Sequence, residues 1–130
     1  MASRLRTHFK TANKTYLLTS APQCVVPDAN MGNLISAVSF DIIWVQFYNT
    51  PQCSARSWIT ANPNYIDGES QSPSGFSFET WSNFLSGTAS SAAKLYIGVP
   101  GAPDAINDCY VNSSEISNLI DAYDGSPPQF

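Results

Sequence analysis

Charge is scarce in this sequence: Asp, Glu, Lys and Arg make up only 12% of it, about half the ~25% common in soluble domains. What charge there is sums to −4 and forms no basic stripe, so nucleic acid is not an expected partner. Histidine is nearly absent. His8 is the only one, so a Ser–His–Asp set could use no other base and a zinc site would lack its usual ligand mix. G-x-G-x-x-G and G-x-x-x-x-G-K-[ST] are missing, which removes the familiar phosphate cradles, and so is G-x-S-x-G. No metal or cofactor is expected. No apolar run approaches the ~20 residues of a membrane span. Met1–Arg6 carries charge but no apolar core, so no secretory signal is expected in this chain.

What is present suffices for a packed core: 43% of the 130 residues are hydrophobic and 12% aromatic, and the length fits one domain. Low charge, abundant Ser and Asn, and two glycosylation sequons (Asn13-Lys14-Thr15 and Asn112-Ser113-Ser114) look extracellular.

Helical and strand periods alternate along the chain. Residues 3–12 are basic and tolerate a helix. Residues 15–20 read as a buried strand closed by Ala21-Pro22. Pro27-Asp28-Ala29-Asn30 signals a helix start, after which Met31, Leu34, Ile35 and Val38 share one face. Phe40–Tyr48 is β-branched and aromatic, as in a strand covered on both sides. A polar stretch, residues 49–75, reads as a long loop, and long loops in compact domains are usually functional or disordered. Ser77 can cap a helix bearing Phe78, Trp81, Phe84 and Leu85, and residues 94–99 are a third strand stopped by Pro100-Gly101. Asn112 with Glu115 is a capping-box pattern. It opens a last helix with Ile116, Leu119, Ile120 and Tyr123 on one face, ended by Gly125 and Pro127. A helix and three strand–helix units imply an α/β fold with three adjacent parallel strands and helices on one side.

The carboxylates supply no acid–base pair. Asp67 and Glu69 fall in the polar loop, Asp104 and Asp108 in another, and Glu79 and Glu115 at helix starts. Parallel α/β sheets gather their sites at the C-terminal ends of strands. There Gln46 and Tyr48, two apart, project to one side of the second strand. Together they could hold a polar ligand, or simply pack in an interior with the phenol satisfied by the amide. Cys24 and Cys53 follow the first two strands, so a bridge between these loops is geometrically reasonable, with unrelated buried thiols as the alternative. Cys109 is left over.

Three segments, Tyr16-Leu17-Leu18-Thr19-Ser20-Ala21-Pro22-Gln23-Cys24, Trp44-Val45-Gln46-Phe47-Tyr48-Asn49 and Leu95-Tyr96-Ile97-Gly98-Val99-Pro100-Gly101, resemble, in order and spacing, class III chitinases of glycoside hydrolase family 18. The long connection after Asn49 is most like the fungal members. The resemblance implies a (β/α)8 barrel of which residues 1–130 hold strands five to seven, a partial catalytic domain. It implies chitin or chito-oligosaccharide as partner and an extracellular or cell-wall location for the full-length protein. The family's fourth-strand motif Asp-x-x-Asp-x-Asp-x-Glu, whose Glu is the general acid, is not in this sequence. In this family the substrate's N-acetyl carbonyl attacks the anomeric carbon, outside the two-carboxylate scheme. By that resemblance Tyr48 stabilises the oxazolinium that forms, and Gln46 lines the same subsite. Ala21, Pro22 and Asn49 border the cleft, and Cys24–Cys53 is a disulfide. It also leaves open a non-catalytic N-acetylglucosamine-binding module.

Overall fold

The computed structural model describes residues 1–106 and 108–124. Helix α1 (Ala2–Thr11) leads to strand β1 (Thr19–Ser20), then α2 (Gly32–Ala37) and β2 (Ile42–Gln46). Helices α3 (Ala55–Ala61) and α4 (Phe78–Ser86) follow, then β3 (Lys94–Gly98) and α5 (Ser113–Tyr123). The strands pair in the order β1-β2-β3 and both pairings are parallel. Ile42 to Gln46 runs in register with Lys94 to Gly98. The expected three-stranded parallel sheet, with the middle strand in the middle, is what forms.

Alternation along β2 sorts the two faces. Ile43 and Val45 are fully buried, with Leu95 of β3 on the same side. Against them pack Ile35, Val38, Trp81, Leu85 and Leu119, and around Phe47 lies an aromatic cluster of Trp58, Phe76, Phe78 and Tyr123. Burying side chains of this size contributes ~1.5–3 kcal/mol each. The other face is open. Trp44 is 43% exposed and stacks on Tyr96 with ring centroids 4.3 Å apart. The expectation that β2 is covered on both sides is therefore corrected: only the helix-facing side is closed.

Three further readings change. The strand expected over 15–20 pairs only at Thr19–Ser20, and Tyr16 and Leu17 stand 48% and 59% exposed. β-branched and apolar composition cannot hold a ladder where no neighbouring backbone meets it. The long polar stretch is not all loop: a 3-10 turn, Pro51–Cys53, runs into α3, whose Trp58 and Ile59 are buried. Ser77 precedes α4 but does not cap it. Its hydroxyl donates instead to the Cys24 carbonyl at 2.6 Å, beside the Trp81 indole N–H at 3.1 Å.

Other local signals act as expected. Asp28 accepts from the backbone N–H groups of Asn30 and Met31 and so turns the chain into α2. The capping box is complete: Asn112 Oδ1 accepts from Glu115 N–H, and Glu115 accepts from Asn112 N–H. Leu119 and Tyr123 are buried on the α5 face, whereas Ile120 is 49% exposed. The helix stop expected at Gly125 and Pro127 lies outside the described residues.

Candidate functional site

A parallel sheet brings all its strand C-termini to one end, and the polar groups of this chain converge there. Beyond β2 the chain turns at once, with Phe47 N–H donating to the Gly98 carbonyl and Ala55 N–H to the Phe47 carbonyl. This turn presents Tyr48 and Asn49. Gln46, the last residue of β2, faces the open side and is registered against Gly98. Its amide nitrogen donates to the Ala21 carbonyl at 2.6 Å, and its amide oxygen accepts from Asn49 Nδ2 at 2.8 Å. Gln23 Nε2 approaches the same oxygen at 3.4 Å, and Gln46 N–H donates to the Pro22 carbonyl. Pro22 itself is fully buried, so it borders the site from beneath, through its carbonyl.

Gly98 is what lets β3 run close against β2 beside Tyr48. A Cβ at this position would stand 2.7 Å from the Val45 carbonyl oxygen and 3.5 Å from Tyr48 Cε1. Tyr48 therefore lies over a strand that has no side chain there. Gln46, Tyr48, Asn49 and the Ala21–Pro22 backbone, all named from sequence, share one end of the sheet.

Sequence reasoning missed two supports. Gln23 bridges to Gln46, pairing with it in an isolated parallel bridge, and the buried Asp28 carboxylate accepts from Gln23 N–H at 2.9 Å. The signal was present in the run Gln23–Asp28, where a carboxylate follows a strand end closely enough to turn back on it. Beneath the site, Cys24 and Cys53 form a disulfide with Cα atoms 5.7 Å apart. It ties the loop after β1 to the loop after β2. Cys109 is a buried free thiol.

Glu115 and Asp41 serve structure. Glu115 grips Arg56 through both oxygens, and the Arg56 hydrogen bond holds its carboxyl below the usual glutamate range against the opposing effect of burial. Arg56 also donates to the Tyr110 carbonyl. At the opposite end of the sheet, burial would raise the Asp41 carboxyl, but the Leu18 N–H and Arg6 outweigh it and hold the group low. A separate groove of about 610 Å³ runs between the polar stretch and α4, lined by Glu69, Glu79, Trp58 and Tyr123 among others. Burial, with the Glu79 charge, pushes the Tyr123 phenol up to about 12. Among the described residues no group of His, Cys, Asp and Glu could hold a metal ion, and no helix is long and apolar enough to cross a membrane. The arrangement at the strand ends can orient a polar guest through an amide and a phenol. Gln46, Tyr48 and Asn49 themselves include no carboxylic acid.

No family model matches the chain. A probable endochitinase of Arthroderma benhamiae is 50% identical over 102 residues, covering 78% of this chain and 12% of that protein. Endochitinase A1 of Aspergillus fumigatus is 36% identical over 125 residues, covering 95% of this chain and 13% of that one. Among solved structures, a xylanase and α-amylase inhibitor protein from Scadoxus multiflorus superposes with a TM-score of 0.66 at 33% identity, over 89% of this chain and 36% of that chain. A chitinase from Ipomoea carnea shares the fold, with a TM-score of 0.61 at 24% identity over 95% of this chain and 41% of that chain. The chain thus spans about an eighth of the length of the curated fungal relatives it matches. With three parallel strands of a (β/α)8 barrel and this sequence likeness, it belongs to the chitinase-type proteins of glycoside hydrolase family 18.

Proposed function

We propose that residues 1–130 supply one side of the sugar cleft of an endochitinase that hydrolyses β-1,4-linked N-acetylglucosamine polymers. The observation that carries the reading is the meeting at the strand ends of Gln46, held by the Ala21 carbonyl and Asn49, with Tyr48 beside Gly98 of the neighbouring strand. In this reading the three strands are the fifth to seventh of the barrel. Tyr48 donates a hydrogen bond to the substrate's acetamido carbonyl as that oxygen closes on the anomeric carbon and becomes an oxazolinium. Configuration is retained because water then opens that ring from the opposite face. Gln46 lines the same subsite, with Asn49 and the Ala21–Pro22 backbone at its border. Protonation of the leaving oxygen falls to a carboxylic acid outside these 130 residues, and general acid catalysis of this kind contributes ~10²–10⁴ in rate. The natural location is extracellular or cell-wall, which suits the Cys24–Cys53 disulfide.

The test replaces the matched segment of the A. fumigatus enzyme with this chain. The chimera is expected to cleave a chromogenic chito-oligosaccharide, and Tyr48→Phe within it to lower kcat by ~10²-fold with KM little changed. The isolated chain is expected to give no turnover above background. Turnover by the isolated chain that disappears on mutating Asp67 or Glu69 overturns the assignment.

A second reading is a non-catalytic binder of N-acetylglucosamine polymers. It is favoured by the solved structures of 31–33% identity, which are xylanase and α-amylase inhibitor proteins. Binding of chito-oligosaccharide by the isolated chain, lost in Gln46→Ala, supports it, and a chimera active only with Tyr48 intact argues for the catalytic reading.

A further inference from the structure

The two sequons lie at opposite ends of the sheet, both exposed, and differ in whether the asparagine is held by hydrogen bonds. Asn13-Lys14-Thr15 occupies the bend between α1 and β1, where all three residues are exposed. Asn13 makes no side-chain hydrogen bond in the structure. The bend is pinned from both sides, because Phe9 on α1 stacks on Tyr16 with ring centroids 5.2 Å apart. That contact holds Asn13 at the tip of a short projecting turn. Since β1 begins after this turn, and Leu18 contacts Asp41 just ahead of β2, the turn stands at the N-terminal end of the sheet. The candidate sugar site is at the other end.

Asn112-Ser113-Ser114 is a different object. Asn112 is the N-cap of α5, its side-chain oxygen fixed on Glu115 N–H at 3.0 Å and its own N–H fixed on Glu115 Oε2 at 2.8 Å. Ser113 and Ser114 are already in the first helical turn. Glu115 is locked in turn by Arg56 of α3. The acceptor amide cannot turn away from this helix start without opening the box.

We propose that Asn13 is an N-glycosylation site and that the folded capping box withholds Asn112 from the same modification. The inference rests on the secretory reading of the chain, which the disulfide and the sequon support independently. The donor is a lipid-diphosphate-linked oligosaccharide. Asn13 Nδ2 forms a bond to the anomeric carbon of the first sugar, the bond from that carbon to the diphosphate oxygen breaks, the amide gives up one proton, and the lipid diphosphate leaves. A glycan at this turn points away from the strand C-termini. It can therefore cover the chain's far end without obstructing Gln46 and Tyr48.

The experiment translates the full chain behind a cleavable leader in the presence of endoplasmic-reticulum microsomes, with protease protection marking the imported molecules. Imported wild-type chain is expected to carry a single glycan, seen as one mobility step removed by an amidase specific for N-glycans. Asn13→Gln and Thr15→Ala should lose the step, Thr15→Ser should keep it, and Asn112→Gln should leave it unchanged. Asn13 is exposed and makes no side-chain hydrogen bond among the described residues, so its variant should keep the disulfide. Imported chain without any step, a step that survives Asn13→Gln, or a second step on the wild type overturns the proposal. Chito-oligosaccharide binding by the unglycosylated Asn13→Gln protein is a separate readout, so failure here is distinguishable from failure of the sugar-cleft reading.

Discussion

Gly98→Ala tests whether the close approach of β3 to the Tyr48 turn is required by the fold. The added Cβ would sit 2.7 Å from the Val45 carbonyl oxygen, closer than such atoms can stand. The obstacle is backbone in the central strand, not the free end of a side chain, so β2 and β3 must separate at their last registered pair. Overpacking of this kind costs ~1–3 kcal/mol. Losing glycine's freedom in the unfolded chain returns ~0.4–1 kcal/mol, which leaves a net loss of roughly 0–2.6 kcal/mol. Gly101→Ala is the matched control: a Cβ there meets nothing within 4 Å, so only the unfolded-chain gain of ~0.4–1 kcal/mol remains. Urea unfolding followed by tryptophan fluorescence reads both, with the midpoint shifted and the slope unchanged in the Gly98 variant. The same variant should weaken chito-oligosaccharide cleavage by the chimera through the forced separation of β2 and β3 at the Gln46–Gly98 pair, the added atom itself meeting Tyr48 Cε1 at an ordinary 3.5 Å. Equal midpoints for the two alanine variants would refute the reasoning.

Removing the bridge with Cys53→Ala should destabilise by ~3–4 kcal/mol on a chain-entropy argument, given a separation of 29 in sequence between its cysteines; thermal unfolding with and without reductant measures it. Glu115 and Asp41 have carboxyls lowered by folding. The stability they contribute is therefore present above the ordinary carboxylate range and is lost as pH falls through their lowered values. Urea midpoints should decline on acidification, and Arg56→Met should be less stable at neutral pH but decline less steeply. Tyr123, pushed up to about 12, should be among the last phenols to ionise in an alkaline ultraviolet titration, and Tyr123→Phe should remove that late step.

The parts legible in the sequence are those set by short-range chemistry. The Asn112–Glu115 box, the Asp28 turn and the strand cores of β2 and β3 each depend on a few neighbouring residues, and each is where the pattern places it. The Gln46–Tyr48 pair follows from strand alternation, although Tyr48 lies in the turn just past the strand. What was illegible depends on distant partners. Tyr16 and Leu17 have strand composition but no strand beside them. The short α3 carries two buried apolar anchors, Trp58 and Ile59, inside a polar stretch, too few to establish a period. Ser77 has a cap's position, yet the Cys24 carbonyl, 53 residues away in sequence, claims its hydroxyl. Gln23 as the partner of Gln46 could be seen only once the first two strands were side by side.

The hydrogen bonds around Gln46 set the polarity of what it can recognise. A primary amide has two N–H groups and an oxygen with two lone pairs. Asn49 and Gln23 face the oxygen at 2.8 Å and 3.4 Å, and the Ala21 carbonyl takes one N–H at 2.6 Å. One N–H is left over. The residue thus meets a guest as a donor alone: a hydroxyl oxygen or an acetamido carbonyl can answer it, and an ammonium or a second amide N–H cannot. Gln46→Glu, a near-isosteric change, would reverse that polarity. It would set a carboxylate against the Ala21 carbonyl and leave the guest's oxygen facing an acceptor.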